Sequence, residues 1–195
     1  MEPKFVVLKF GGTSVASVER WQSIAKTVQT RLKEGFRPVL VCSALSGISN
    51  RLESLLDVAI RGEHGPALKA IEDQHRALVS TMQLDDDWLD ETFEPLRRLA
   101  AGVALVGEVT PRMRARVMAM GELLSTRIGA QFLNSVGVPT QWVDARDCLR
   151  SRSEVGDVGF LSANCTDEVD VDLQHRFARS EVNITQGFIA RNTHG

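Results

Sequence analysis

The chain begins with the parts of an anion site. Lys9-Phe10-Gly11-Gly12-Thr13-Ser14 follows the apolar run Phe5-Val6-Val7-Leu8. Adjacent glycines let a backbone turn sharply and bring its N–H groups close to an anion. A helix starting just beyond would add the positive end of its dipole, and Lys9 adds a full charge. Phosphate binding is the chemistry these residues suit. The spacing is neither that of a Walker loop nor that of a Gly-x-Gly-x-x-Gly dinucleotide fingerprint. The same segment also reads as a plain strand-to-helix turn needing glycine for a positive φ, and alone it does not separate the two.

Two further segments carry chemistry. Ser43-Ala44-Leu45-Ser46-Gly47-Ile48-Ser49-Asn50 offers hydroxyls at Ser43, Ser46 and Ser49, and Gly47 permits close backbone approach. Its plain reading is a serine-rich loop ending in a helix cap at Asn50. Gly121-Glu122 sits inside a long helical pattern, where glycine costs about 1 kcal/mol relative to alanine. A group that must approach the backbone there would account for it, and Glu122 can serve as counter-ion to a cation. Against that, most helical glutamates are simply solvated. No His-Asp or Cys-His constellation stands out.

The elements that must position these segments form a βαβ start. Lys4 to Phe10 reads as a strand, followed by a helix capped by Ser14 or Ser17. That helix has Glu19 in its first turn, Val18, Trp21, Ile24, Ala25, Val28 and Leu32 on one face, and Gly35 as its stop. Pro38 to Cys42 is apolar throughout, the pattern of a parallel strand buried on both faces. The expected class is α/β, an open, mainly parallel sheet flanked by helices. Ligands bind such sheets beyond the carboxyl ends of the strands, so the first two segments should line one crevice.

Helices are expected from Asn50 to Gly62, from Pro66 to Met82, over 85–107 with Pro95 marking a break or a new first turn, and from Thr110-Pro111 to Gly137. Pro139 to Val143 reads as a strand, Asp172 to Arg179 as a short helix, and Val182 to Ile189 as a strand interrupted by Gly187. His75 lies on an apolar stripe and reads as a packed, hydrogen-bonded histidine. Asp85-Asp86-Asp87 reads as a helix start rather than a metal site, and no metal ligands are assigned. Arg112, Arg114 and Arg116 read as a solvated or interface helix end. Asp144 ends a strand at the functional edge without a definite role.

Composition narrows the class. The chain has 195 residues, 43% apolar and 25% charged, with 23 basic against 25 acidic side chains and a net charge of −2. That mix suits one globular domain and supplies no basic excess for a nucleic-acid or membrane partner. Cys42, Cys148 and Cys165 form no CxxC pair and read as packing residues. Gly11-Gly12 ends the first apolar run too early for a signal peptide. A cytoplasmic setting is the expectation.

Four segments in order carry a resemblance: Lys9 to Val15, Ser43 to Asn50, Gly121-Glu122-Leu123-Leu124-Ser125, and Thr185-Gln186-Gly187-Phe188-Ile189-Ala190. Together, at about this spacing, they resemble the amino-acid kinase family, and within it the aspartokinases. Ser49 stands where many aspartokinases have threonine, which keeps a hydroxyl. The resemblance runs from Lys4 to the last residue. It implies ATP-dependent phosphorylation of the side-chain carboxylate of L-aspartate to 4-phospho-L-aspartate, the first step toward lysine, threonine and methionine.

The resemblance also distributes roles. Lys9 would be catalytic, and Lys9, Phe10, Gly11, Gly12, Thr13 and Ser14 would hold the ATP phosphates. Ser43, Ser49 and Glu122 would hold aspartate, with Glu122 facing its ammonium; ATP and Mg²⁺ are the implied cofactors. A carboxylate with a pKa of about 4 is already ionised, so the nucleophile needs no general base. The residues would form the N-terminal, substrate-binding part of a kinase domain, a fold truncated on its C-terminal side. The nucleotide-binding remainder and regulatory ACT modules are expected outside the chain, which alone should be inactive. The full-length enzyme would be a homodimer or higher oligomer. A glutamate or acetylglutamate kinase, and a non-catalytic binding or assembly module, are the alternatives.

Overall fold

The computed structural model describes residues 4–151, 160, 164–165 and 168–192. Strand β1 (Lys4–Phe10) runs into a 3-10 turn at Gly12–Val15, and helix α1 (Val18–Lys33) follows. The Ser17 hydroxyl caps α1 by accepting from the Arg20 N–H at 3.4 Å. Glu19 lies in its first turn and Arg31 and Lys33 in its last, the charge order that complements the helix dipole. Gly35, at φ 82°, stops the helix and turns the chain into β2 (Phe36–Cys42).

Four helices then form one layer: α2 (Ile48–Ala59), α3 (His64–Thr81), α4 (Asp87–Val106) and α5 (Pro111–Ser135). Two expectations change here. Helix α2 starts at Ile48, before Asn50, because Gly47 at φ 80° makes the turn that launches it; Asn50 is already inside the helix. Helix α4 runs unbroken through Pro95. The proline is exposed, and so is Glu91, whose carbonyl loses its helical donor to the ring and can take water instead. By contrast, α5 begins as expected, with Pro111 in its first turn and the Thr110 hydroxyl accepting from the Met113 N–H at 3.2 Å.

After α5 come β3 (Thr140–Trp142), a 3-10 turn at Ala145–Asp147, α6 (Val171–Phe177) and β4 (Val182–Gln186). The sheet order is β1-β2-β4-β3, and every pairing is parallel. All four strands therefore end at the same edge. Leu8, Leu40, Ile184 and Trp142 align across the register on one face, which packs against the helical layer. Trp21, Leu55, Phe93, Leu96 and Leu124 are fully buried in that core, and each such side chain contributes about 1.5–3 kcal/mol.

The other face carries Val7, Val39 and Asn183 in register. Near the start of the strands it is crossed by the segment after α6. There Arg37 donates to the Ala178 carbonyl, and the Asn183 amide donates to that of Phe177 at 3.0 Å. Val7 on the edge strand is 65% exposed. Among the described residues no helix is long and apolar enough to cross a membrane.

Candidate active site

The three segments singled out by residue type meet at one residue, Ala44. A Cβ at Gly12 would lie 2.8 Å from the Ala44 carbonyl oxygen, closer than real side chains come. A Cβ at Gly121 would lie 2.9 Å from the Ala44 methyl and 3.2–3.3 Å from Leu52 and Ile48. The Ala44 N–H donates to the Glu122 carboxylate at 3.4 Å. One small residue thus touches the first loop with its oxygen, helix α5 with its methyl and Glu122 with its N–H. The two glycines exist to let these backbones close.

The reason for the glycines differs from a turn requirement. Gly11 has φ −78° and extended backbone, and neither it nor Gly12 lies in the left-handed region. Gly12 is needed for packing, while a Cβ on Gly11 would meet nothing within 4 Å, so space opens in front of it. The expected dipole is also weaker at this point. The 3-10 turn intervenes before α1, and the Ser14 N–H is already committed to the Gly11 carbonyl at 2.9 Å. Approach of an anion here rests on Lys9 and the remaining loop N–H groups.

Lys9 and Glu122 reach the strand ends from opposite sides. Lys9 pairs in register with Val41, on the Val7 face, whereas Glu122 belongs to the helical layer on the other. Lys9 is exposed, and its Nζ lies 4.9 Å from the centre of the Phe188 ring, a cation–π contact. Phe188 itself is 82% exposed and has φ 62°, an unusual backbone state for a bulky residue. Glu122 is 9% exposed. Burial raises its pKa above the ordinary carboxylate value, although the Ala44 N–H works in the other direction. A buried carboxylate of this kind is stable either protonated or paired with a cation.

The remaining strand ends complete the edge. Ser43 continues the β1–β2 ladder, its N–H donating to the Phe10 carbonyl at 3.0 Å, and the Gly187 N–H donates to Cys42 at 3.1 Å. Ser43 is half-buried and Ser49 is exposed in the first turn of α2. Asp144 accepts from the Arg146 N–H at 2.9 Å and from its guanidinium at 2.6–3.2 Å. Burial opposes ionisation of Asp144, but Arg146 outweighs it and the net pKa is lowered. Its carboxylate is thus engaged within its own turn.

His75 is fully buried, its Nδ1 is 2.8 Å from the Ile71 carbonyl, and its ring meets Phe93 edge-on at 5.6 Å. Asp85-Asp86-Asp87 is an exposed acidic cluster at the start of α4, with Asp86 paired to Arg76. Arg114 pairs with Glu53 of α2. Burial pushes the Cys42 thiol up to about 12, which makes it inert. Two grooves, about 190 Å³ beside Leu32 and Arg37 and about 370 Å³ beside Asn134 and Gln141, open at the opposite edge. None of the candidate site residues lines them.

Residues 4–195 match the family model for the amino acid kinase family. The chain belongs to that family. It is 35% identical to aspartokinase 1 of Arabidopsis thaliana, a chloroplastic protein, over 71% of this chain and 25% of that one. It is 29% identical to the lysine-sensitive aspartokinase 3 of Escherichia coli over 98% of this chain and 42% of that one. Among solved structures it resembles E. coli aspartokinase III in complex with aspartate and ADP, with a TM-score of 0.81 and 27% identity. The lysine and aspartate complex of the same protein matches with a TM-score of 0.77. The chain spans well under half the length of these relatives.

Reasoning from residue types missed three members of the edge: Ala44, Phe188 and Gln186. Ala44 has no chemistry of its own, and Phe188 and Gln186 figured only inside the fourth resembling segment. The signal available for Ala44 was its smallness between two glycine-bearing partners, which becomes visible only when the chain is folded.

Proposed function

We propose that these residues are the substrate side of an ATP-dependent aspartate kinase, which phosphorylates the side-chain carboxylate of L-aspartate to 4-phospho-L-aspartate. The observation that carries the reading is the Ala44 junction, which sets a buried carboxylate beside the Gly11-Gly12 loop and the Lys9 strand end. The solved complexes with aspartate and ADP, and with lysine and aspartate, belong to a protein of the same fold and support it. Lysine, threonine and methionine biosynthesis is the pathway the reading implies.

On this reading Glu122 faces the aspartate ammonium, and Ser43 and Ser49 bond its polar groups. Lys9 and the N–H groups of Gly11, Gly12 and Thr13 hold the ATP phosphates, with Phe10 and Ser14 shaping the loop. An ionised carboxylate is already a nucleophile, so the task is to bring two anions together; positive charge and positioning do that. Lys9 sits at the exposed strand end where charge develops. Mg²⁺ would arrive with ATP and shield its phosphates. Among the described residues the strand edge offers it no carboxylate cluster, so no step is assigned to a metal held here. The reading includes a cytoplasmic homodimer or higher oligomer, and nucleotide-base contacts from parts of the relatives that this stretch does not match. Alone, it is proposed to be inactive.

The test is aspartyl hydroxamate formation by the full-length protein containing these residues. Lys9→Ala is expected to reduce kcat by about 100-fold or more without changing the melting temperature. Glu122→Gln is expected to raise the KM for aspartate with little effect on that for ATP. Its pKa is raised in the fold, so the charged form is disfavoured there and Gln should not lower stability at neutral pH. Product formed from glutamate or N-acetylglutamate but not aspartate, or unchanged kinetics in both variants, would overturn the reading.

A further inference from the structure

We infer that Gln186 is a positioning residue for the aspartate site, acting through Thr126 on Glu122 and through Ala145 on the Asp144 turn. Gln186 is the last residue of β4 and is 2% exposed. Its Nε2 donates to the Thr126 hydroxyl at 2.7 Å, and its Oε1 accepts from the Ala145 N–H at 2.7 Å. A single side chain therefore joins the end of β4 to helix α5 and to the turn that follows β3.

Thr126 is where the link enters the helix. It is fully buried, and its hydroxyl donates to the Glu122 carbonyl at 2.8 Å. It accepts from the Trp142 indole at 3.0 Å as well as from Gln186. Positions 122 and 126 lie one turn apart on the same helix face. An anchor at 126 thus sets both the height and the rotation of α5 where Glu122 projects. Trp142 comes from β3, so two strands hold that one hydroxyl in place. At its other end, the Ala145 N–H that Gln186 accepts from is the first in the 3-10 turn capped by Asp144. Gln186 touches neither Lys9 nor the first loop by any hydrogen bond. Its effect should therefore fall on aspartate and not on phosphate binding.

The inference rests on Glu122 being the aspartate site, so the experiment reads both. Steady-state kinetics on the full-length protein are measured for Gln186→Leu, Gln186→Glu, Thr126→Val, Thr126→Ser and the Gln186→Leu/Thr126→Val pair. Gln186→Leu and Thr126→Val are expected to raise the KM for aspartate about 10-fold, with the KM for ATP and kcat changed less than about 2-fold. The double variant should be no worse than the worse single one, because both break the same link. Thr126→Ser, which keeps the hydroxyl, should restore the wild-type KM. Gln186→Glu keeps the acceptor for Ala145 but loses the donor, and should behave like Gln186→Leu. Thr126→Val is near-isosteric and decides the matter if Gln186→Leu fails to fold. Unchanged aspartate KM in Thr126→Val, or equal loss for aspartate and ATP, overturns the inference while leaving the kinase reading intact. A wild-type protein that does not phosphorylate aspartate overturns both.

Discussion

Two glycines of helix α5, Gly121 and Gly129, do the same job for different clients. Each lets another element come closer to the helix than any side chain would allow. At Gly121 the visitor is Ala44, and the result is a hydrogen bond to Glu122 at the sheet edge. At Gly129 it is the Trp21 ring, which leaves no space for a Cβ. Trp21 is fully buried with its indole N–H donating to the Val15 carbonyl at 2.9 Å, so it pins α1 and the 3-10 turn to α5. The Gly121 turn of the helix serves a site, and the Gly129 turn, about two turns on, serves the core. A helical glycine therefore reports that something comes close without saying whether function or stability depends on it.

That contrast can be broken most forcefully at Gly129. Gly129→Ala has no room, because the fully buried Trp21 ring already fills the space and is tied to the Val15 carbonyl through its indole N–H, and overpacking should exceed the about 1 kcal/mol that alanine adds as a helix former. A net loss of about 3 kcal/mol is expected by chemical denaturation, with little effect on substrate affinity in the folded protein. Wild-type stability for Gly129→Ala would show that Trp21 does not fill the space beside Gly129.

His75, also in the buried body of the helical layer, tests the same distinction with acid. Burial lowers its pKa from 6.5 to about 4, against an opposing hydrogen bond with the Ile71 carbonyl. The unfolded chain then binds more protons than the folded one between those values, so stability is full above pH 6.5 and falls as the pH drops toward 4. The expected loss is roughly 2 kcal/mol between about pH 7 and about pH 5. His75→Leu should flatten that limb in denaturant titrations across pH, and a limb that survives the substitution would place the acid sensitivity elsewhere.

The smallest expected stability change is at Gly121. Its contacts at 2.9–3.3 Å are tight but not prohibitive, and helix propensity partly offsets them, so Gly121→Ala should cost about 1 kcal/mol or less. Its effect belongs on function: displacing Ala44 moves the N–H that holds Glu122, and the KM for aspartate should rise more than the melting temperature falls. Were Gly121→Ala to lose stability as Gly129→Ala does and bind aspartate normally, the division of α5 into a site turn and a core turn would fail.

The Ser17 and Thr110 caps, the stops at Gly35 and Gly137, and the α1 stripe from Trp21 to Val28 are all decided within a few residues of chain, and each stands where expected. Pro95 misled because its exposure, and that of the carbonyl it orphans, depends on which face the tertiary core chooses. Asn50 misled because Gly47 can launch a helix by its backbone alone, without a side-chain cap. Gly129 escaped notice because its partner, Trp21, lies on a different helix. The candidate site was legible as a set of residue types, and Gly121 as a point of close approach; the packing role of Gly12 was not, because the Ala44 carbonyl it meets lies on another loop.

The amino-acid sequence by itself determined the α/β class, the run of strands and helices, and the order of small, hydroxyl-bearing and charged residues at what would become the strand ends. Those follow from side-chain periodicity and from local turn chemistry. Only the tertiary structure decided that Ala44 is the meeting point, that Glu122 is buried and Lys9 exposed on the opposite face, and that Gln186 grips α5. The Ala44–Glu122 and Thr126–Gln186 bonds join residues 78 and 60 positions apart. Desolvation and hydrogen-bond partners are set by such distant contacts, and no local pattern encodes them.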